Sequence, residues 1–357
     1  MVRNQGTPLR NYVERSPSFM PSYNVCILGF GNVGQALVRH LQLKTAELRE
    51  CYDITWRLTG VATRRMGWIV DPAGLDTAAL LAGQLLPVSS AHDVHEWLNL
   101  AQADVLFELT STDASTGQPA IDHIRTALEH GAHAITANKG AVVHAYEELH
   151  SLAQARGKRF LFEATVMGGA PVFSLFQEAL PATNVLSFRG LPNSTCNVII
   201  EQMEQGKDFS EALQVAQALG IVETDPTLDV DGWDAALKLC AISTVLMGVP
   251  IKPADVQRHG IRDLHPETLR AARAAGQPFK LVASLERTVN GGLARVQPEQ
   301  IAAGDPLAGV SSGSMLGHFV TDMLPGLTVA LHVPDDPTAG PDVTAYDVLA
   351  DFLRAVR

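Results

Sequence analysis

An α/β fold, with a Rossmann-type doubly wound parallel sheet in the first half and a second α+β domain behind it, is predicted by three features of this 357-residue sequence. Short apolar runs alternate with helical patterns up to about residue 150, the order from which parallel sheets are built. A glycine-rich hexapeptide joins the first apolar run to the first helical pattern. Past that point strand and helix patterns lose their regular alternation, which marks a different architecture. The length itself corresponds to roughly two domains at about 150 residues each.

The first strand is predicted over Tyr23 to Leu28, and it runs into Gly29-Phe30-Gly31-Asn32-Val33-Gly34. Leu37, Val38 and Leu41 then share one face of a helix. In this context each glycine has a mechanical reason. Gly29 permits the tight turn, Gly31 lets the backbone approach a pyrophosphate, and Gly34 lets the helix pack against the strand, with the helix N–H groups facing the anion. A dinucleotide cofactor is therefore expected on Gly29, Gly31 and Gly34. Further strands are predicted at Ile54 to Thr63, Val105 to Leu109 and His133 to Thr136. The second ends in Thr63-Arg64-Arg65, where a site selective for NAD offers a carboxylate to the ribose 2′-hydroxyl. Two guanidinium groups suit a 2′-phosphate, so NADP(H) is the preferred cofactor and NAD(H) the second choice.

Beyond residue 150 strands are predicted at Arg159 to Glu163, Asn184 to Leu191, Phe279 to Glu286, Gly292 to Val296 and Leu327 to Val333. Helices are predicted at Pro171 to Ala179, Ser194 to Gln205, Ser210 to Leu219, Trp233 to Leu246 and Pro341 to Ala355. The division that follows is a polar arm (1–22), a dinucleotide-binding domain (23–150), a mixed α+β substrate domain (151–335) and a last helix (336–357) returning to the cofactor domain. The Pro/Gly/Asp-rich stretch from Pro334 to Pro341 is the best linker.

Composition narrows the function. Lys plus Arg is 27 and Asp plus Glu is 38, a net charge of −11 that disfavours nucleic-acid binding. Each apolar stretch is interrupted too early to span a membrane, and the arm lacks the apolar core of a secretion signal, so a cytoplasmic protein is expected. Cys26, Cys51, Cys196 and Cys240 are widely spaced and form neither a disulfide framework nor a zinc ribbon. His92 and His95 make only a bare HxxH, read as structural.

Two segments carry chemistry. The stretch from Gly220 to Lys238, GIVETDPTLDVDGWDAALK, gathers Glu223, Asp225, Asp229, Asp231 and Asp234 before a single Lys238. Asp234 and Lys238 are four apart on a helix, so both project from one face. The same pairing on an open surface would be worth only about 0.3–0.5 kcal/mol, but the apolar residues around this one suggest a cleft wall, and the acidic loop before it suits a substrate ammonium group. Thr136-Ala137-Asn138-Lys139-Gly140 lies at the carboxyl end of the fourth strand, where ligands bind in open α/β sheets. A lysine there suits a carboxylate or a polarised carbonyl oxygen; the bland alternative is a helix-starting turn.

These motifs, with ELTST at Glu108 to Thr112, EATVMGGAP from Glu163, LPNSTCN from Leu191 and AGPDVTAYDVLADF near the end, resemble the homoserine dehydrogenase family from Tyr23 to Leu353, in its short form without an ACT-type regulatory module. The resemblance implies reversible NAD(P)H-dependent reduction of L-aspartate 4-semialdehyde to L-homoserine, a step of threonine and methionine biosynthesis, in a homodimer. It implies that Lys238 supplies the proton, that Asp234 holds it and that Lys139 shares the site. It further implies Glu223 and Asp229 as substrate contacts, and Asn32, Val33, Thr110, Lys139 and Gly340 as cofactor contacts beside the glycines. A sodium ion on the backbone carbonyls of Glu163, Val166, Gly168 and Ala170 is also implied. The chain departs from the family pattern at Asn193-Ser194-Thr195-Cys196-Asn197, where NGTTN is common, and at Val166-Met167-Gly168-Gly169, where more glycines are usual.

Two rivals compete with this reading. Cys196 invites a thiol-dependent semialdehyde dehydrogenase, which needs a base that no histidine in the sequence is marked to provide. A noncatalytic NADP-binding sensor would use the fold without needing Lys139, Glu223, Asp234 and Lys238.

Overall fold

Asn24 to Leu28 are all buried, as a strand covered on both faces must be. Alternate residues divide between the two faces: Val25 and Ile27 join one apolar cluster, and Cys26 and Leu28 another. In the computed structural model this strand lies at the middle of the first of two sheets. Residues 20–84, 86–218, 226–289, 291–311, 313–333 and 339–357 are described.

The first sheet is built by β1 (Ser22–Leu28), α1 (Asn32–Tyr52), β2 (Thr55–Thr63), β3 (Gly67–Val70), α2 (Thr77–Leu81), α3 (Val94–Ala101), β4 (Val105–Glu108), α4 (Ala120–His130), β5 (His133–Thr136), α5 (Lys139–Ala155) and β6 (Phe160–Leu161). Its strand order is β3-β2-β1-β4-β5-β6. All pairings are parallel except β2 with β3. The strand expected at Arg159 to Glu163 is thus two residues long, and it extends the first sheet instead of opening the second. Glu163 instead begins a 3-10 turn, Glu163–Thr165. The edge strand β3 was not foreseen, because a four-residue run offers little periodicity.

The remainder begins with α6 (Val172–Ser174), continued by a π-helical turn over Leu175–Ala179. Then come β7 (Val185–Leu191), α7 (Ser194–Glu204), α8 (Phe209–Ala218), α9 (Thr227–Val230), α10 (Trp233–Met247), β8 (Gln257–Arg258), α11 (Pro266–Ala274), β9 (Phe279–Thr288), β10 (Gly291–Gln300), β11 (Met315–Thr321), β12 (Leu327–Leu331) and α12 (Ala339–Val356). Its sheet has the order β12-β11-β7-β9-β10-β8 and is antiparallel apart from β8 against β10. Helices α7, α10 and α11 cover one face. Residues 334–338 of the expected linker lie outside the described residues. The helix after it packs on α1 of the first sheet, where Phe352 meets Tyr23 and Phe107 edge-on at 6.0 and 5.9 Å. No helix among the described residues is long and apolar enough to cross a membrane.

Candidate active site

The glycine turn has the shape its sequence calls for. Gly29 adopts φ +100°, and a Cβ there would lie 2.4 Å from the carbonyl oxygen of Leu109 and 2.8 Å from the amide of Thr110. The close approach of β1 to the end of β4 therefore requires glycine and sets Thr110 beside the turn. A Cβ on Gly34 would meet the Gly29 carbonyl oxygen at 2.7 Å, whereas one on Gly31 would meet nothing within 4 Å. Gly31 caps α1 without a side-chain hydrogen bond, so the first helical N–H groups, at Asn32, Val33 and Gly34, are available to an anion. Open space over Gly31 and bare donors behind it fit a dinucleotide pyrophosphate. Arg64 and Arg65 are exposed in the turn between β2 and β3, and neither forms an ion pair among the described residues. Gly340 is exposed in the first turn of α12.

A buried polar chain connects this turn to α5. Glu108, fully buried at the end of β4, accepts from the Thr110 hydroxyl and, at 2.9 Å, from the Thr136 hydroxyl. Asn138 donates its side-chain amide to the carbonyl oxygens of Thr110 and Ser111 at 3.3 and 3.2 Å. Its Oδ1 caps α5 by accepting from Gly140 N at 3.0 Å. Lys139, the first residue of that helix, is held by its neighbour's cap.

Lys139 points at α10. Its Nζ lies 3.2 Å from Asp234 Oδ1, while Lys238 Nζ lies 2.8 Å from Asp234 Oδ2. The three side chains are 21%, 15% and 14% exposed in the order Lys139, Asp234, Lys238, well withdrawn from solvent. Lys238 also donates to the Pro192 carbonyl oxygen at 2.7 Å, so two of its three N–H donors are engaged. Asn193 donates through Nδ2 to Asp229 at 2.7 Å and to Asp234 at 2.9 Å. Burial alone would push the Asp234 carboxyl up, yet Lys238 and Lys139 outweigh it and hold Asp234 well below the usual carboxylate range. Asp229 has no lysine contact of that kind; burial, with Asp234 adding to it, pushes its carboxyl up to about 6.

The neighbouring acids divide by role. Asp231 ends α9 and pairs with Arg262, while the Arg258 guanidinium lies 3.7 Å over the Trp233 ring and donates to the Asp231 carbonyl oxygen. This clamp fixes the start of α10. Glu223 and Asp225 fall in 219–225, outside the described residues.

Glu163, Val166, Gly168 and Ala170 occupy one largely buried turn. The Glu163 carboxylate accepts from Phe173 N and Ser174 N at 2.7 and 2.8 Å. From α12, Asp351 accepts from Glu163 N at 2.8 Å and Asp347 from Gly169 N at 2.6 Å. The described residues hold no grouping of three or more His, Cys, Asp or Glu side chains suited to a metal ion; a site made of carbonyls is a separate matter.

Comparison with known proteins bears on what this arrangement is. A family model described as homoserine dehydrogenase matches residues 171–353, and one described as its NAD binding domain matches residues 29–163. The chain belongs to the homoserine dehydrogenase family. It is 32% identical over 344 residues to an NAD(+)-dependent homoserine dehydrogenase of Pseudomonas canavaninivorans, covering 94% of this chain and 96% of that one. It is also 32% identical to the homoserine dehydrogenase of Methanocaldococcus jannaschii, over 93% and 98% of the two chains. Among solved structures, a homoserine dehydrogenase from Thiobacillus denitrificans superimposes with a TM-score of 0.79 at 30% identity, covering 94% of this chain and 73% of the other. A hyperthermophilic archaeal homoserine dehydrogenase mutant in complex with NADPH gives 0.78 at 25%, covering 94% and 98%.

Membership brings an NAD(P)-dependent oxidoreductase activity and disposes of the thiol rival together with the local geometry. Cys196 is buried at the start of α7, and its thiol donates to the Asp229 carbonyl oxygen at 3.2 Å. Burial, then the charge of Asp229, pushes that thiol well above its ordinary value, the opposite of what a nucleophilic thiolate needs. Sequence reasoning missed Asn138, Pro192 and Asn193. The two asparagines carry a local signal, an Asn directly before a helix, but only as caps; their second partners are distant in sequence.

Proposed function

We propose that the protein reduces L-aspartate 4-semialdehyde reversibly to L-homoserine, with Lys238 as proton donor to the carbonyl oxygen. One observation carries this reading: two lysines from different halves of the chain converge on a single carboxylate, and a buried polar chain links one of them to the glycine turn. A bound nicotinamide supplies the hydride to the aldehyde carbon. Negative charge then grows on the aldehyde oxygen, and a cation aimed at it stabilises the transition state. Lys238 is suited to this because Asp234 and the Pro192 carbonyl oxygen fix its ammonium group and leave a third N–H for the substrate. Lys139 adds positive potential from the start of α5, the helix that the polar chain ties to the glycine turn. Asp229, with Glu223, receives the substrate ammonium group.

NADP(H) is the preferred cofactor in this proposal, because Arg64 and Arg65 stand exposed at the end of β2; Gly29, Gly31, Asn32, Val33, Gly34, Thr110, Lys139 and Gly340 complete its site. Sodium on the carbonyls of Glu163, Val166, Gly168 and Ala170 belongs to the same proposal: Asp347 and Asp351 face that turn from α12, burial pushes their carboxyls up to about 8 and about 7, and a nearby cation would favour their ionised forms beside the Arg354 guanidinium already paired there. Melting in sodium against choline chloride at equal ionic strength tests it. A homodimer is proposed because, among the described residues, α-helices cover one face of the second sheet while the other, beside a small cluster around Ile301, Leu307 and Val310, leaves strand residues such as Ser187, His318 and Thr328 for a second copy. A cytoplasmic location accords with four free cysteines. Absorbance at the nicotinamide band, followed with aspartate semialdehyde and NADPH and then NADH, tests substrate and cofactor together. Absence of oxidation with either coenzyme would sink the reading.

A further inference from the structure

The loop joining β7 to α7 touches both members of the Asp234–Lys238 pair through consecutive residues. Pro192 accepts from Lys238 Nζ with its carbonyl oxygen, and Asn193 donates to Asp234 Oδ2 with its side chain. The orientation of the Asn193 amide is not open to choice. Its Oδ1 caps α7 by accepting from Cys196 N at 3.1 Å, so Nδ2 must face the other way, where Asp229 Oδ1 and Asp234 Oδ2 lie at 2.7 and 2.9 Å. A flipped amide would set an oxygen against two carboxylates and an N–H against an N–H. The two Nδ2 hydrogens thus tie together two like charges that would otherwise repel, and the residue is only 5% exposed.

We propose that Asn193 is a positioning residue for the reaction, whose amide, locked by the cap of α7, holds Asp229 and Asp234 at a fixed separation and keeps Asp234 engaged with Lys238. This rests on the carbonyl-reduction reading of the site. The groups facing Asp229 are Asn193 and the Cys196 thiol from α7, Asp234 and Lys238 from α10, and Lys139 from α5. Among them Asn193 is the neutral donor to the Asp229 carboxylate, the Cys196 thiol donating to the backbone carbonyl oxygen instead. Its hydrogen bond favours the ionised carboxylate of Asp229, so its removal makes that group hold its proton to higher pH.

Serine and aspartate both cap helices well, so Asn193→Ser and Asn193→Asp in the full chain separate the cap from the bridge. The expected result for Asn193→Ser is a melting temperature and NADPH fluorescence titration close to the parent's, whereas Asn193→Asp, which sets a third carboxylate against Asp229 and Asp234, should melt lower while its NADPH titration stays close to the parent's. With them, kcat should fall about tenfold to a hundredfold, and the acid limb of kcat/KM should move to higher pH, furthest in Asn193→Asp. Carbon-13 NMR titration of the Asp229 carboxyl in Asn193→Ser gives a second readout that does not need turnover, and it too should move upward. Parental kcat, KM and acid limb in both variants, or an unmoved Asp229 titration, would overturn the proposal. A parent that fails to oxidise NADPH with aspartate semialdehyde, alongside a displaced Asp229 titration in Asn193→Ser, would keep the positioning role and reject the functional reading instead.

Discussion

Lys139, the first residue of α5, lies 3.2 Å from Asp234 in the first turn of α10, and the two are 95 positions apart in the chain. Their contact joins the end of the first sheet to the helical layer of the second. Asp234 in turn is paired with Lys238, so one carboxylate balances two ammonium groups. If this is a shared electrostatic unit, Lys139→Ala, Asp234→Ala and the double variant should show a coupling free energy of about 0.5–3 kcal/mol in kcat/KM or stability. Strict additivity would show the lysine to be a bystander.

Lys238→Ala removes the proposed proton donor while leaving the glycine turn intact. A fall in kcat of about 10²- to 10⁴-fold is expected, the usual contribution of a positioned acid or base. Binding of NADPH should survive. Near-normal turnover by the folded variant would assign proton transfer elsewhere.

Arg64→Ala and Arg65→Ala bear on the coenzyme. A bidentate contact to the 2′-phosphate predicts a raised KM for NADPH, by about tenfold if one charge-assisted bond of roughly 1.4 kcal/mol is lost, with NADH kinetics unchanged. Equal effects on both coenzymes, or none, would leave the two arginines as solvated charges.

The raised carboxyl of Asp229, at about 6, gives a pH prediction with a definite sign. As pH falls through that value Asp229 gains a proton and can no longer pair with a substrate ammonium group, so kcat/KM should decline on the acid side. Stability runs the other way. The folded value lies above the unfolded value near 3.8, so the group stabilises the fold below about pH 4, and that contribution is lost as pH rises through 6. Asp229→Asn should flatten the acid limb and melt at a higher temperature than the parent at pH 8 but not at pH 4. An unchanged acid limb in the variant would move the titration to another group.

Met167 stands where the family is richer in glycine, and it adopts φ +52° with its side chain fully buried. Left-handed backbone costs a non-glycine residue about 1–2 kcal/mol. Yet its sulfur would lie 3.2 Å from a Cβ placed on Gly317, so the thioether fills space beside that glycine of β11. Losing a buried side chain of this size costs about 2–5 kcal/mol, which exceeds the relief. Met167→Gly should therefore lower the denaturation midpoint; a rise would show that backbone strain dominates.

Features that short-range geometry dictates can be read directly from the order of residues. Gly29 to Gly34 fall between an apolar run and a helical pattern, so the cofactor turn is legible. Asp234 and Lys238 meet because residues four apart on any helix share a face. The folded packing alone fixes what distant segments do to each other. It placed Phe160 and Leu161 in the first sheet, because a two-residue strand is defined by its partner β5 and not by its own pattern. It turned Asn193 from a cap into a bridge between Asp229 and Asp234, and it brought Lys139 onto Asp234. Such contacts depend on how α5 and α7 are packed against the layer that holds α9 and α10, and that packing is set by the apolar volume of the whole core, which no local spacing encodes.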